Sequence, residues 1–157
     1  LIDFTAEVFP TRNVVVPRKP HAVLRSVEAL RGERLGAVKG TSLADSLAAL
    51  GVSSADIDDQ IPSGGTLAAL KSGRITCTVD EVAGAIMSQR QDPNLELGLF
   101  LGPPGSYAYG VRKEDVHLRT ALDEYIENLR RTPTWNRLVV KYFGADAPEI
   151  LKKARTQ

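Results

Sequence analysis

Gly40, Thr41 and Ser42 close an apolar run and open a helical one, within the segment LGAVKGTSLADSLAAL at 35–50. A strand that turns through Gly-Thr-Ser into a helix offers unpaired backbone N–H groups and two hydroxyls at a helix N-terminus. The helix dipole favours negative charge there, so the turn can hold a carboxylate or a phosphate. The plainer reading is that Thr41 or Ser42 caps its own helix. Asp80 stands in an equivalent place further on, directly after the β-branched run RITCTV at 74–79 and in the first turn or cap of the next helical pattern. Donors for an anion at one strand end and a carboxylate for a cation at another suit a zwitterion together. Alone, an Asp at a helix start is a cap.

The remaining reactive side chains are sparse. Cys77 is the single cysteine, which excludes an intramolecular disulfide and a multi-cysteine metal site, and its apolar surroundings predict a buried, inert thiol. His21 and His117 lie far apart, with no acidic or cysteine ligand pattern beside either, so neither a metal nor a cofactor is expected. Lys39 reads as a solvated strand-end lysine; the alternative is extra positive charge toward an acidic ligand. The chain carries no Ser-His-Asp set, Walker loop or paired catalytic carboxylates, which predicts a protein that is not an enzyme.

These groups need elements to position them. Strands are predicted at 13–16 (closed by Pro17 and Pro20), 35–38, 74–79, 95–101 and 107–112. Helices are predicted at 26–30 with Ser26 as N-cap, 43–50 ended by Gly51, 66–71, 80–89, 116–130, 134–142 ended by Gly144, and 148–154. Residues 53–65 read as a polar loop with at most one weak strand, and Gly102-Pro103-Pro104-Gly105 as a turn. Strands alternating with helices over 26–112 imply an α/β sheet with mainly parallel pairing. In such sheets ligands sit beyond the carboxyl ends of the strands.

Composition narrows the classes. With 20 Lys and Arg against 19 Asp and Glu among 157 residues, the net charge is +1, and no basic excess argues for nucleic acid. Apolar runs are too short to span a bilayer. Leu1 is not a start methionine, so the chain reads as processed or clipped, and the lack of a visible signal peptide carries little weight.

Three stretches, GERLGAVKGTS, LAALKSGRITCTVDEVAGAI and YAYGVRKEDVHLRTALDEYIENLRRTPTWNRLVVKYFG, resemble the family 3 bacterial extracellular solute-binding proteins, type 2 periplasmic receptors that feed amino-acid uptake transporters. LIDFT at 1–5 is similar to the family's hydrophobic-Asp-Phe-Ser segment. The resemblance implies a type 2 periplasmic-binding-protein-like fold: a three-layer α/β lobe at 17–110, with 1–16 and 111–157 as hinge strands and a helical remnant of an incomplete first lobe. It implies that Gly40, Thr41 and Ser42 hold a ligand α-carboxylate, that Asp80 accepts from its α-ammonium, and that 13–18 and 107–113 are the crossing strands. The implied partners are an amino-acid-like small molecule and the membrane permease of an ABC transporter, in the periplasm or outside the cell, with a lipid anchor as one option.

The chain departs from the family in lacking the upstream part of the first lobe. Its Thr-x-x-Arg segment and the aromatic residues that sandwich the ligand are missing with it. Thr76 stands where an Asp is common, and 53–65 is less strand-like than usual. Weak or no amino-acid binding by this chain alone is therefore expected. Leu118, Leu122, Ile126 and Leu129 share one helix face that packs on the first lobe in the family. Here that face should be covered by a second chain, in a homo-oligomer or domain swap, or be an aggregation liability. Two other functions remain open on the same fold. One is a periplasmic sensor domain of a membrane signalling protein. The other is a cyclohexadienyl-dehydratase-like enzyme using Asp80, Glu81 or Glu114 as its acid.

Overall fold

The computed structural model describes residues 1–22 and 24–156. The chain folds as a central unit, Asn13–Pro103, and a terminal unit made of Leu1–Arg12 and Pro104–Gln157.

The central unit is built on a five-stranded sheet of order β4-β3-β5-β2-β6, formed by β2 (Phe9–Pro17), β3 (Leu35–Val38), β4 (Ile57–Ile61), β5 (Cys77–Glu81) and β6 (Phe100–Tyr107). β3 lies parallel to both β4 and β5, with Leu35 facing Ile57 on one side and Cys77 on the other. β2 runs antiparallel to β5, pairing Val14 with Asp80. The residues leading into β6 run antiparallel to β2, where Val15 accepts from Gly98 at 2.8 Å and donates to Leu99 at 2.9 Å. Parallel strands cannot be joined by a tight turn, and α1 (Ser42–Ala48) and α2 (Thr66–Lys71) make the two crossovers. α3 (Val82–Gln91) follows β5.

Both faces of this sheet are covered, which explains why Asn13-Val14-Val15-Val16 reads as an unbroken apolar run rather than an alternating one. Strand side chains alternate between faces. Val14 and Val16 join Ile61, Leu70, Ile75 and Ala85 in one core, while Val15 joins Leu30, Leu35, Leu47, Cys77 and Val79 in the other. Gly36 lets the first core approach β3: a Cβ there would lie 2.5 Å from Ile61 Cδ1 and 2.8 Å from Ile75 Cγ2.

Several local expectations change. The strand expected at 95–101 starts only at Phe100 and runs on through Tyr107, and that expected at 107–112 is confined to Gly110–Arg112. The helix expected at 26–30 is a 3-10 turn, Val27–Leu30, to which Ser26 gives no side-chain cap bond. Residues 57–61 form a full strand at the sheet edge, although only Ile57 and Ile61 of IDDQI are apolar. An edge strand can carry charge outward, and here Arg74 pairs with Asp58 and Lys39 with Asp59. The expected strand at 74–79 begins at Cys77 and continues through Glu81, because pairing with Asn13 and Val14 holds Asp80 and Glu81 in the ladder. The expected turn at 102–105 lies inside β6. Proline lacks an N–H to donate and is therefore confined to sheet edges such as β6, where one side of the strand has no ladder to break.

In the terminal unit β1 (Ile2–Phe4) pairs antiparallel with β7 (Gly110–Arg112). The unit also holds α4 (Val116–Arg131), α5 (Pro133–Phe143) and α6 (Ala147–Thr156). Thr132 caps α5 by accepting from the Thr134 N–H, with Pro133 at the first helical position, and Gly144 at φ 101° ends it. Phe9 packs 5.1 Å from Phe143 and 6.0 Å from Trp135, ring centre to ring centre. Glu7 accepts from Ser106, Arg130 and Arg155. Burial alone would raise its carboxyl, but those bonds and the two guanidinium charges hold it below its ordinary value. Along the predicted α4 stripe, Ile126 is buried and Leu122 and Leu129 half-buried, while Leu118 is 52% exposed, as are Ile2 and Phe4 at 62% and 68%. Among the described residues no helix is long and apolar enough to cross a membrane.

Candidate functional site

β3 and β5 are parallel neighbours, so their carboxyl ends open at the same edge of the sheet. After β3 the chain turns at Gly40, whose φ of 74° is one that a side chain disfavours, and α1 begins. Thr41 is the N-cap. Its hydroxyl donates to the Val38 carbonyl at 2.6 Å and accepts from the Ala44 N–H at 3.3 Å, so the self-capping reading of this residue is realised. The Asp45 N–H reaches the Thr41 carbonyl at 3.2 Å, which leaves the N–H groups of Ser42 and Leu43 without an intrahelical acceptor. The first turn is tied to the sheet: Asn13 Nδ2 donates to Ser46 Oγ at 2.7 Å, and Ser46 Oγ donates to the Ser42 carbonyl at 2.8 Å.

Asp80 is a strand residue, not the opening of the helix. α3 starts two positions later, and Glu81 is its cap, accepting from the Ala83 N–H at 3.0 Å. Asp80 Oδ1 accepts from the Glu81 N–H at 2.8 Å. Burial, and then the charge of Glu81, push the Asp80 carboxyl above its ordinary value, against that one hydrogen bond. No salt bridge to Asp80 occurs among the described residues.

Thr41 and Asp80 line one cavity of roughly 230 Å³, together with Val38, Val79, Thr66 and Ser88 among others. Gly40 and Ser42 flank Thr41 but are not part of that lining. Lys39 is paired with Asp59 at 3.4 Å, a use of its charge within the fold.

Gly84 is a residue that sequence reasoning passed over. A Cβ at this first-turn position of α3 would sit 2.9 Å and 3.0 Å from the two carboxylate oxygens of Asp80. The missing side chain is what gives that carboxylate its place. Its signal in the sequence was a glycine inside an otherwise good helical stretch, VAGAIMSQRQ, where glycine costs about 1 kcal/mol relative to alanine.

The thiol of Cys77 is buried, and burial followed by the charge of Glu33 pushes it up to about 12, which fits the expected inert sulfur. The expectation of no metal-ligand pattern around the histidines does not hold in space: Glu33 and Cys77 come together at His21. They lie 12 and 56 positions away in sequence, too far for a linear motif to show.

No family model matches the chain. It is 29% identical over 149 residues to the membrane-bound lytic murein transglycosylase F of Stutzerimonas stutzeri, covering 92% of this chain and 31% of that protein. It is 26% identical over 157 residues to the histidine-binding periplasmic protein of Escherichia coli K12, covering 92% of this chain and 59% of that one. Among solved structures, the L-cystine solute receptor of Neisseria gonorrhoeae, in its unliganded open conformation, superposes with a TM-score of 0.77 at 13% identity. That match covers 93% of this chain and 62% of the receptor. The fold is the type 2 periplasmic-binding-protein fold, and the chain is similar to the family 3 solute-binding proteins over most of its length. It spans only part of the length of the curated relatives that it matches. The relatives of which it covers more than half are binding proteins.

Proposed function

We propose that this chain is a ligand-binding portion of an extracytoplasmic solute receptor, taking an amino acid or a similar zwitterion between the first turn of α1 and Asp80. The observation that carries the reading is the presence of Thr41 and Asp80 on one cavity at the carboxyl ends of two adjacent parallel strands. The free N–H groups after Thr41 would receive a carboxylate. Asp80, half-buried and held above its ordinary value with no cation beside it among the described residues, would gain most from an ammonium group. Asp80 is the only titratable group among the cavity's described lining residues. With no second titratable group on that lining, the cavity supports recognition over a paired acid–base mechanism.

In this reading 17–110 is one lobe of a clamshell, 1–16 and 111–157 belong to the other, and the ligand is handed to an ABC-transporter permease. One lobe supplies only part of the enclosure that a ligand needs, so affinity for the chain alone is of millimolar order, about −4 kcal/mol. The test is a backbone NMR titration with a panel of free amino acids. Shifts concentrated at 40–43 and 80–84, absent in Asp80→Ala, are expected. No shift at those positions, or shifts unchanged in Asp80→Ala, would refute the site. Micromolar binding would refute its incompleteness.

A further inference from the structure

The second cluster of reactive side chains lies at the other end of β5. Cys77 and Asp80 are three positions apart, about 10 Å along a strand, and Cys77 belongs to the core on the α1 face. Around it the fold gathers a nitrogen, an oxygen and a sulfur donor. His21 Nε2 is 3.0 Å from Glu33 Oε2 and 3.8 Å from Cys77 Sγ, and that sulfur is 3.9 Å from the same Glu33 oxygen.

The arrangement is not that of a nucleophilic cysteine. A thiol activated by histidine uses one ring nitrogen, and the carboxylate that orients the ring uses the other. Here thiol and carboxylate both face Nε2, and Nδ1 is turned away to the Ala22 carbonyl at 2.7 Å. Cys77 is also fully buried. Three donors of different chemistry therefore converge on one point. Tetrahedral zinc with its usual bond lengths separates such donors by about 3.4 Å for N···O and about 3.6 Å for pairs with sulfur. Each of the three distances lies within about 0.4 Å of those values.

We propose that His21, Glu33 and Cys77 form a binding site for a single zinc(II) ion, with water as the fourth ligand. The surroundings fit such an ion. The Nδ1–H to carbonyl bond fixes the tautomer that leaves Nε2 free to ligate. Glu33 Oε2 also accepts from the Thr76 hydroxyl at 2.6 Å, and Thr76 Oγ1 in turn accepts from the Arg34 N–H at 3.0 Å, so the carboxylate is oriented by a partner that a metal would not displace. Cys77 belongs to the same apolar core as Leu24 and Leu30. The side chains of His21 and Glu33 remain 11% and 22% exposed, which leaves a path for ion and water. One carboxylate and one thiolate would neutralise the two positive charges. Binding displaces the Cys77 thiol proton, and the His21 Nε2 proton where the imidazole is charged, into solvent, with no oxidation or reduction.

The test uses the chelator-treated chain, titrated with zinc by calorimetry and with cobalt(II) by absorption. Saturation at one ion per chain is expected, with a thiolate-to-cobalt charge-transfer band in the wild type and none in Cys77→Ala. His21→Gln should weaken zinc binding by at least about 100-fold, and Thr76→Val by about 10- to 100-fold. Circular dichroism checks that each variant is folded. A wild-type chain that does not saturate at one zinc per chain, a cobalt complex without the thiolate band, or unchanged affinity in His21→Gln would overturn the proposal.

Discussion

Gly84→Ala tests whether the place of the Asp80 carboxylate is set by an absent side chain. In a helix interior this change should stabilise by about 0.5–1 kcal/mol, because alanine loses less backbone entropy than glycine. Here the new Cβ would meet the Asp80 oxygens at 2.9 Å and 3.0 Å and its Cγ at 3.1 Å. The carboxylate must then move by a few tenths of an ångström. It is not free to do so, since Oδ1 is held by the Glu81 N–H at 2.8 Å and the group is half-buried. A hydrogen bond to a charged acceptor is worth roughly 1.5–3 kcal/mol, and straining it should cost enough to cancel the helical gain and leave a net loss of about 1 kcal/mol. In an Asp80→Ala background the three atoms nearest that Cβ are gone, and the same substitution should stabilise by the increment of about 0.5–1 kcal/mol that helix propensity gives. The double-mutant cycle should therefore return a coupling of about 1.5–2 kcal/mol, well above the roughly 0.3–0.5 kcal/mol within which independent sites add. Urea denaturation of the four proteins, with slopes checked for constancy, measures it. Equal stabilisation by Gly84→Ala in both backgrounds would refute the reasoning.

Two further outcomes follow from the same strands. Asp80→Asn keeps the shape and the acceptor for the Glu81 N–H but removes the charge. Because burial raises the folded-state value above the ordinary value of about 3.9, the native state binds more protons than the unfolded one in that window, and the charged group destabilises at higher pH. The variant should be more stable than wild type near about pH 7, the difference vanishing as pH falls below about 3.9, in denaturation series at several pH values; a variant less stable at neutral pH would contradict the sign. Gly36→Ala should destabilise by about 1–2 kcal/mol, the overpacking cost against Ile61 and Ile75 less the entropic gain. Pairing it with Ile75→Val should recover part of the loss in thermal unfolding, and a stabilised Gly36→Ala would show that the contact is not tight.

Local periodicity and turn chemistry made much of the fold legible. β3 and α2 occupy the residues that their patterns mark, and Thr132-Pro133 and Gly144 bracket α5 through local capping. Expectation failed where a long-range partner decides. IDDQI has too few apolar residues to announce a strand, and becomes one because β3 offers a free parallel edge. Asp80 and Glu81 look like the start of a helix, and stay in β5 because Val14 and Asn13 pair with them. Gly102-Pro103-Pro104-Gly105 has the composition of a turn but occupies an edge strand, a location that no local rule distinguishes.

The candidate sites divide along the same line. Thr41 and Asp80 were legible because each sits at a strand-to-helix junction, and parallel strands bring such junctions to one edge whatever the length of the crossovers between them. Gly84 became meaningful only when the carboxylate it accommodates was in view. The His21, Glu33 and Cys77 cluster had no linear signal. His21 and Glu33 lie on the segments between β2 and β3, and Cys77 opens β5, so only the β3–β5 pairing that sets Leu35 against Cys77 brings them together. Parallel pairing thus accounts for both sites at once: it places junction residues at the carboxyl end of the sheet, where the zwitterion reading rests. At the opposite end it gathers three donors that the sequence keeps apart.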